Sequence, residues 1–461
     1  MSRHGTLGIC REPVRPRWHE WCDAAWVRLC SQALSVVFAG VAACSGIACQ
    51  VVQVDEALDD DPQRYIEDVH YRRGIVERDL TDRGNEYAAM RLEQYGVEGF
   101  GWELLAERDP PSRPLRAHEL DGLQDGAPLT LDPGQGASLS PANIPEADAE
   151  WIALGRRVFF DYPLRADGIY ETLVRVPGAL EESGFLVDGE NVIGLAIFAD
   201  QTGIRLGSTC AQCHAGRGED GAITAILANK SMDLGRARLL AMGITPEELP
   251  SEIDSTLVAD LHRLGPGRSD VMSDDEFNPF ALPDLGGIAQ FPYLQHNANW
   301  VNRGVATLAV RCETLFITGS GEQTRIPRVL SWALAMYLRS LPPPAPVGGE
   351  ATALVERGRQ VFEGAACGGC HSPPLYTSDR DVTVDEIGTD RAALASSARG
   401  TGFVRIPSLR GVGRTAPYFH HGAVPDLETL FDPSREEPGH RFGLEIEADD
   451  RDALIAFLRS I

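Results

Sequence analysis

Two short stretches hold the residue types best suited to chemistry: Cys210-Ala-Gln-Cys213-His214 and Cys367-Gly-Gly-Cys370-His371. Two thiols at this spacing reach the two vinyl groups of one haem, which is the c-type attachment pattern. The His directly after the second Cys then faces the iron as its proximal ligand. Two such motifs predict two covalent haems, with His214 and His371 as proximal ligands. A zinc ribbon using both Cys pairs is the competing use of the same thiols. It leaves both histidines unexplained.

The elements that must position these motifs recur along the chain. Gly155-Arg-Arg-Val-Phe159 returns as Gly358-Arg-Gln-Val-Phe362. Ala333-Leu-Ala-Met-Tyr-Leu-Arg-Ser-Leu341 returns as Ala453-Leu-Ile-Ala-Phe-Leu-Arg-Ser-Ile461. Each pair brackets one attachment motif in the same order. The first element reads as a helix leading into the attachment turn. The second reads as a closing amphipathic helix, with apolar residues three and four apart. The expected fold is therefore mainly α, with two cytochrome c-like helical haem domains in tandem, 151–341 and 354–461. A Pro/Gly linker, 342–353, stops the helix and acts as a semi-rigid spacer.

The two units differ before the haem. Nine residues separate Gly358 from Cys367, but fifty-five separate Gly155 from Cys210. Inside this insertion, Gly184–Phe198 reads as two strands around an Asp188-Gly189 turn, with Gly203–Leu206 as a third. Such a small β-hairpin insertion is long enough to wall one side of the first haem.

The N-terminal part reads differently. Residues 29–43 form an apolar run of signal-peptide length, too short to span a bilayer as a helix. Val41-Ala42-Ala43-Cys44 resembles a bacterial lipobox, so 1–43 is expected to be removed and Cys44 lipidated. The mature protein would then be exported to the periplasmic or cell-surface side, touching the membrane only through that anchor. Export orders the ten cysteines. Three leave with the leader, Cys44 takes lipid and four hold haem. Cys49 and Cys312 remain, and an oxidising compartment permits their pairing. Residues 44–150 read as an acidic accessory segment. They open on Asp55-Glu56 and Asp59-Asp60-Asp61, and a Pro/Gly-rich passage at 109–142 suits loose packing.

The formal net charge is −25. That disfavours nucleic acid and anionic lipid as partners and favours a basic electron donor, or simply solubility. Lys230 is the one lysine among 42 basic residues, which reads as compositional bias.

From about residue 150 to 461 the chain resembles the bacterial di-haem cytochrome c peroxidases, with the related methylamine-utilisation di-haem oxidase and di-haem rubber oxygenases. Gly155-Arg-Arg-Val-Phe-Phe-Asp161 is similar to the family's lead-in to its first haem. Ile406-Pro-Ser-Leu-Arg-Gly411 and Thr415-Ala-Pro-Tyr-Phe-His-His-Gly422 are similar to its second-domain block. The resemblance implies a reactive first haem with an openable distal side, and a second, low-spin haem that passes electrons. It implies a small soluble donor of the cytochrome c or cupredoxin type, and peroxide or oxygen as the other substrate. It also implies a calcium ion on backbone oxygens at Thr415 and Pro417, with Asn278 in the first unit. The long lead-in departs from the peroxidase pattern and is closer to the oxygenase branch.

The sixth ligand of the second haem departs as well. The family commonly uses a second-domain Met, but the last methionine here is Met336. His420, His421 and His440 are the histidines after the second motif. His440 falls within a few residues of the family's Met and is the expected ligand. For the first haem's distal side, His262, His296 and four methionines between 232 and 336 are candidates. Glu313 falls where the family places an acid–base carboxylate, a group that could move a proton between peroxide oxygens. Trp300 is the candidate relay between the haems, against the commoner fate of core packing.

Overall fold

Two pairs of crossing helices frame the fold. Asp148–Asp161 packs on Arg328–Ser340, and Thr352–Gly364 packs on Ala448–Ser460. The computed structural model describes residues 59–244, 255–270 and 276–461. The apolar run 29–43, Cys44 and Cys49 lie outside the described residues.

Each crossing turns on one glycine. A Cβ on Gly155 would overlap the carbonyl of Ala333 and stand 2.7 Å from Cβ of Tyr337. A Cβ on Gly358 would overlap the carbonyl of Ala453 and stand 2.7 Å from Cβ of Phe457. The same ring contact flanks both crossings. Phe159 and Tyr337 centroids lie 5.6 Å apart, and those of Phe362 and Phe457 lie 5.4 Å apart. The recurring sequence elements are thus recurring packing devices. Helix propensity alone would make alanine better than glycine at these sites by roughly 1 kcal/mol. The close approach reverses the sign. Gly155→Ala and Gly358→Ala are each expected to cost about 1–3 kcal/mol through overpacking. Thermal unfolding of the two variants checks this, and a raised midpoint in either would contradict it.

The expected strands are present, with one more. Val187–Asp188 and Gly203–Ser208 both pair antiparallel with Asn191–Asp200. The additional strand, Ser112–Arg116, pairs antiparallel with Asn191–Asp200 and comes from the Pro/Gly-rich passage. Pro114 is tolerated because this strand ends the sheet. Asn191–Asp200 lies against the first attachment motif: Gly194, at φ +88°, leaves no room for a side chain above the backbone of Gln212. Thr209 N–H donates to the Gly194 carbonyl at 2.9 Å.

The expectation of loose packing before residue 150 is corrected. Pro62–Glu67 and Val69–Asp79 bury Tyr65, Tyr71, Ile75 and Val76 in the largest apolar cluster, beside Trp332 and Phe159. The acidic run supplies helix caps. Asp61 accepts from Arg64 N–H at 3.0 Å, and Asp60 accepts from Val305 and Ala306 N–H at 2.8 Å each, at the start of Val305–Gly319. Carboxylates there satisfy orphan donors and complement the helix dipole. The proline passage after Leu341 is also held. Arg414 donates to the carbonyls of Ala345 and Pro346 at 2.7 and 2.9 Å.

Candidate functional site

Both Cys-X-X-Cys-His motifs close into one tight turn. His214 N–H donates to the Cys210 carbonyl at 3.1 Å, and His371 N–H to the Cys367 carbonyl at 2.9 Å. The turn sets both thiols and the imidazole on one short stretch. The two motifs sit in different surroundings: Cys210 and Cys213 border the first two apolar clusters, Cys367 a third. Burial pushes the Cys210 and Cys213 thiols up to about 12, so they stay neutral in apolar surroundings.

The imidazoles share a second feature. Nδ1 of His214 lies 3.1 Å from the Pro283 carbonyl, and Nδ1 of His371 lies 3.1 Å from the Tyr376 carbonyl. A carbonyl can only accept, so each Nδ1 carries the proton and each Nε2 keeps its lone pair. Burial brings His214 down to about 4, against the pull of the Pro283 hydrogen bond, and lowers His371 as well. Both rings are neutral and each offers one nitrogen to a metal.

His440 stands opposite His371, with ring centres 6.4 Å apart and planes inclined by 57°. Two metal–imidazole bonds of about 2 Å each, with the ring radii added, place ring centres roughly 6 Å apart, so one iron fits between them. The His440 backbone is held at φ +44°, an uncommon conformation for a residue with a side chain. Its N–H donates to Ile387 O at 2.8 Å, and Arg435 donates to the Gly439 and His440 carbonyls at 2.8 and 3.1 Å. Burial first, and His371 second, hold the imidazole down to about 4.

A cavity of about 490 Å³ contains this pair, with Cys367 and Cys370 on its wall. Its apolar lining includes Phe362, Leu454 and Leu458. The buried atoms Nδ1 of His440, Oγ1 of Thr389 and Oε1 of Gln290 lack partners among the described residues and belong to residues lining the cavity. An apolar body with a few orphaned polar atoms fits a large amphipathic ring such as haem. The segment 151–341 also lines the cavity, through Pro283 and His296.

The remaining candidates are placed as follows. His420 lines the cavity, buried, with its ring edge-on to Phe280. His421 lies 3.1 Å from a Glu437 carboxylate oxygen. His296 lines the same cavity and stacks on Phe280. His262 is exposed on Ser255–Leu264. Met232 is buried, Met242 is exposed, Met336 packs on the first cluster and Met272 lies outside the described residues. Cys312 is buried and forms no disulfide among the described residues.

Trp300 is fully buried, and its indole N–H donates to the Tyr87 hydroxyl at 2.8 Å. It does not line the cavity of His371 and His440. Burial pushes the Tyr87 phenol up, but Arg311, Arg91 and Arg399 outweigh it and bring the phenol down to about 8. Glu313 is fully buried and accepts from Tyr65 at 2.7 Å, Tyr95 at 2.6 Å and Arg328 at 3.3 Å. Thr415 and Pro417 line the cavity, and Asn278 is buried with its N–H on Asp270 at 3.0 Å. Among the described residues no group of three or more His, Cys, Asp or Glu gathers to hold a metal. A calcium ion there would rest on backbone and amide oxygens.

Sequence reading missed the carbonyls of Pro283 and Tyr376, which carry no side-chain signal, and the cavity residues Thr389, Gln290 and Arg405. Arg405 alone had a pointer, lying next to the Ile406-Pro407 block.

A family model described as "RoxA-like, cytochrome c-like" matches residues 404–439. The chain is 30% identical over 123 residues to cytochrome c peroxidase Ccp of Escherichia coli, covering 24% of this chain and 25% of that protein. It is 26% identical over 303 residues to methylamine utilization protein MauG of Methylophilus methylotrophus, covering 58% of this chain and 81% of that protein. A crystal structure of a MauG-like protein associated with microbial copper homeostasis aligns at 16% identity and a TM-score of 0.33, over 70% of this chain and 90% of that one. That structural likeness is too slight to argue from.

Proposed function

We propose that this chain, a relative of the di-haem cytochrome c peroxidases and oxidases, is an exported di-haem c-type oxidoreductase that reduces hydrogen peroxide. One observation carries the reading: two CXXCH turns, each with its His Nδ1 on a backbone carbonyl at 3.1 Å. Cys210, Cys213 and His214 would hold the first haem. Cys367, Cys370, His371 and His440 would hold the second, through two thiols and two imidazoles. Bound there, the haems supply one-electron transfer from a donor protein and, at the His214 iron, reduction of peroxide to water. Pro283 and Tyr376 fix the tautomers of the proximal rings and raise their basicity as ligands. Arg435 holds the His440 loop. In this reading residues 151–341 and 354–461 are tandem cytochrome c-like units. The proposal includes a small basic donor protein, a lipid anchor at Cys44, and a calcium ion at Thr415, Pro417 and Asn278. These last elements rest on the sequence alone.

A second reading is oxygen activation toward an apolar substrate. The RoxA-like match and the sheet beside the first attachment turn favour it. Stoichiometry and turnover test both. Acid–acetone-extracted, denatured protein should retain two haems by mass, and one or none would remove the basis of the proposal. Peroxide should then oxidise a reduced small cytochrome in the presence of the enzyme. Oxygen consumption without peroxide turnover would favour the second reading. If no high-spin ferric iron appears in the resting or half-reduced protein, both give way to a plain electron carrier.

A further inference from the structure

The cavity of His371 and His440 carries one charged side chain that is shielded from bulk water and has no counter-charge among the described residues. Arg405 lies on its wall. Burial is the one influence resolved on its guanidinium, bringing it down to about 10; no carboxylate opposes that shift. Its guanidinium carbon lies 4.4 Å from the centre of the Phe291 ring, an apolar neighbour. Its backbone is fixed, with N–H donating to the His296 carbonyl at 2.9 Å.

The other charges on the wall are matched or in water. Lys230 pairs with Asp284 at 3.0 Å, Arg380 pairs with Glu386, and Arg410 is exposed. Burial holds His371, His440, His296 and His420 neutral. Apart from Arg410, which is exposed to water, the wall therefore carries one surplus positive charge. Arg405 is half-buried, and a cation held partly away from water without a partner is costly. An anion bound in the cavity would remove that cost, and the cavity is otherwise shaped for a large apolar body.

We infer that Arg405 is the anion-binding side chain of this cavity and that its partner is a carboxylate of the haem attached at Cys367 and Cys370. Resting on the di-haem reading, the inference adds to it the residue that orients and neutralises the acidic edge of the ring. Lys230 and Arg380 are already committed to Asp284 and Glu386, and Arg410 faces water, so Arg405 is the side chain available for the task. A guanidinium suits it, because its planar fork matches a carboxylate. A free small anion would satisfy the same charge, so the test must separate the two sources.

The test uses the purified holoprotein, with both covalent haems first counted by mass. Arg405→Leu should keep both haems and lower the potential of the His371-ligated haem. The expected loss is at least tenfold in its reduction equilibrium, which is 59 mV for one electron. The cause is that the carboxylate's negative charge, no longer offset, favours ferric iron. The His214-ligated haem should stay near its wild-type value. Arg405→Lys should recover at least half of the shift. The carboxylate bending mode in resonance Raman should move in the leucine variant and stay in the lysine variant. If the leucine variant does not accumulate, Arg405→Gln is measured in the same way. A potential within threefold of wild type in equilibrium terms, or an unmoved bending mode, overturns the inference. So does a wild-type potential that follows phosphate concentration, which would assign Arg405 to a free anion. Wild-type protein without haem fails the di-haem reading instead, and the initial count shows that separately.

Discussion

His440→Ala is expected to convert one of the two irons to high spin while both haems stay covalently attached. The chain has no methionine after Met336, so the usual thioether is not there to ligate. The His440 ring faces His371 at 6.4 Å, and its Nδ1 has no partner among the described residues. Two neutral imidazoles give a low-spin iron, and imidazole donates to ferric iron better than thioether does, which lowers the potential. Removing one imidazole leaves His371, Cys367 and Cys370 in place and opens the sixth position to water. Magnetic circular dichroism or electron paramagnetic resonance of the oxidised variant reads this directly. Because His440 sits at φ +44°, alanine adds backbone strain of its own. His440→Asn tolerates that conformation better and separates loss of the ligand from loss of the loop. An unchanged low-spin signal in both variants would move the assignment to His420, His421 or another side chain.

How far the sequence could be read depended on the distance over which each feature is set. The attachment turns are written in five consecutive residues, and the crossing helices in repeated words such as Gly155-Arg-Arg-Val-Phe159. Both are local. The strands at 187–208 were legible from a turn signal and alternation. Their partner, Ser112–Arg116, was not: Pro114 and its Pro/Gly-rich surroundings hide a strand whose pairing is defined from the other side of the sheet. Asp60 looked like one member of an acidic run. Its use, capping a helix that begins at Val305, depends on a contact 245 residues away. The same separation hid the N-terminal segment's place in the core. His440 could be found by counting histidines and methionines. The carbonyls that orient His214 and His371 could not, since any residue supplies a carbonyl.

Glu313 shows what that distance changes, and it sets the second large effect. Family resemblance offered it as an acid–base group. In the structure its carboxylate is fully buried and accepts from Tyr65, Tyr95 and Arg328. Burial first, and the Glu313 charge second, hold both phenols well above their usual range, so they remain donors. Arg328 also meets Glu103 at 2.8 Å, and Glu103 meets Arg72 at 2.6 Å. The network thus ties the segment 62–103 to Val305–Gly319 and Arg328–Ser340. Glu313→Ala removes the one acceptor that Tyr65, Tyr95 and Arg328 share, leaving Tyr65 with Ser331 and Arg328 with Glu103, and breaking such a buried pair costs about 3–5 kcal/mol. Glu313→Gln keeps an acceptor but loses the charge, and should cost about 1–3 kcal/mol. Denaturant midpoints should fall in that order, while haem spectra recorded under folding conditions stay unchanged. Tyr65→Phe combined with Glu313→Gln should cost less than the two single changes added, since they share one hydrogen bond. A Glu313→Gln protein of wild-type stability that had lost peroxide turnover would return the residue to the acid–base role.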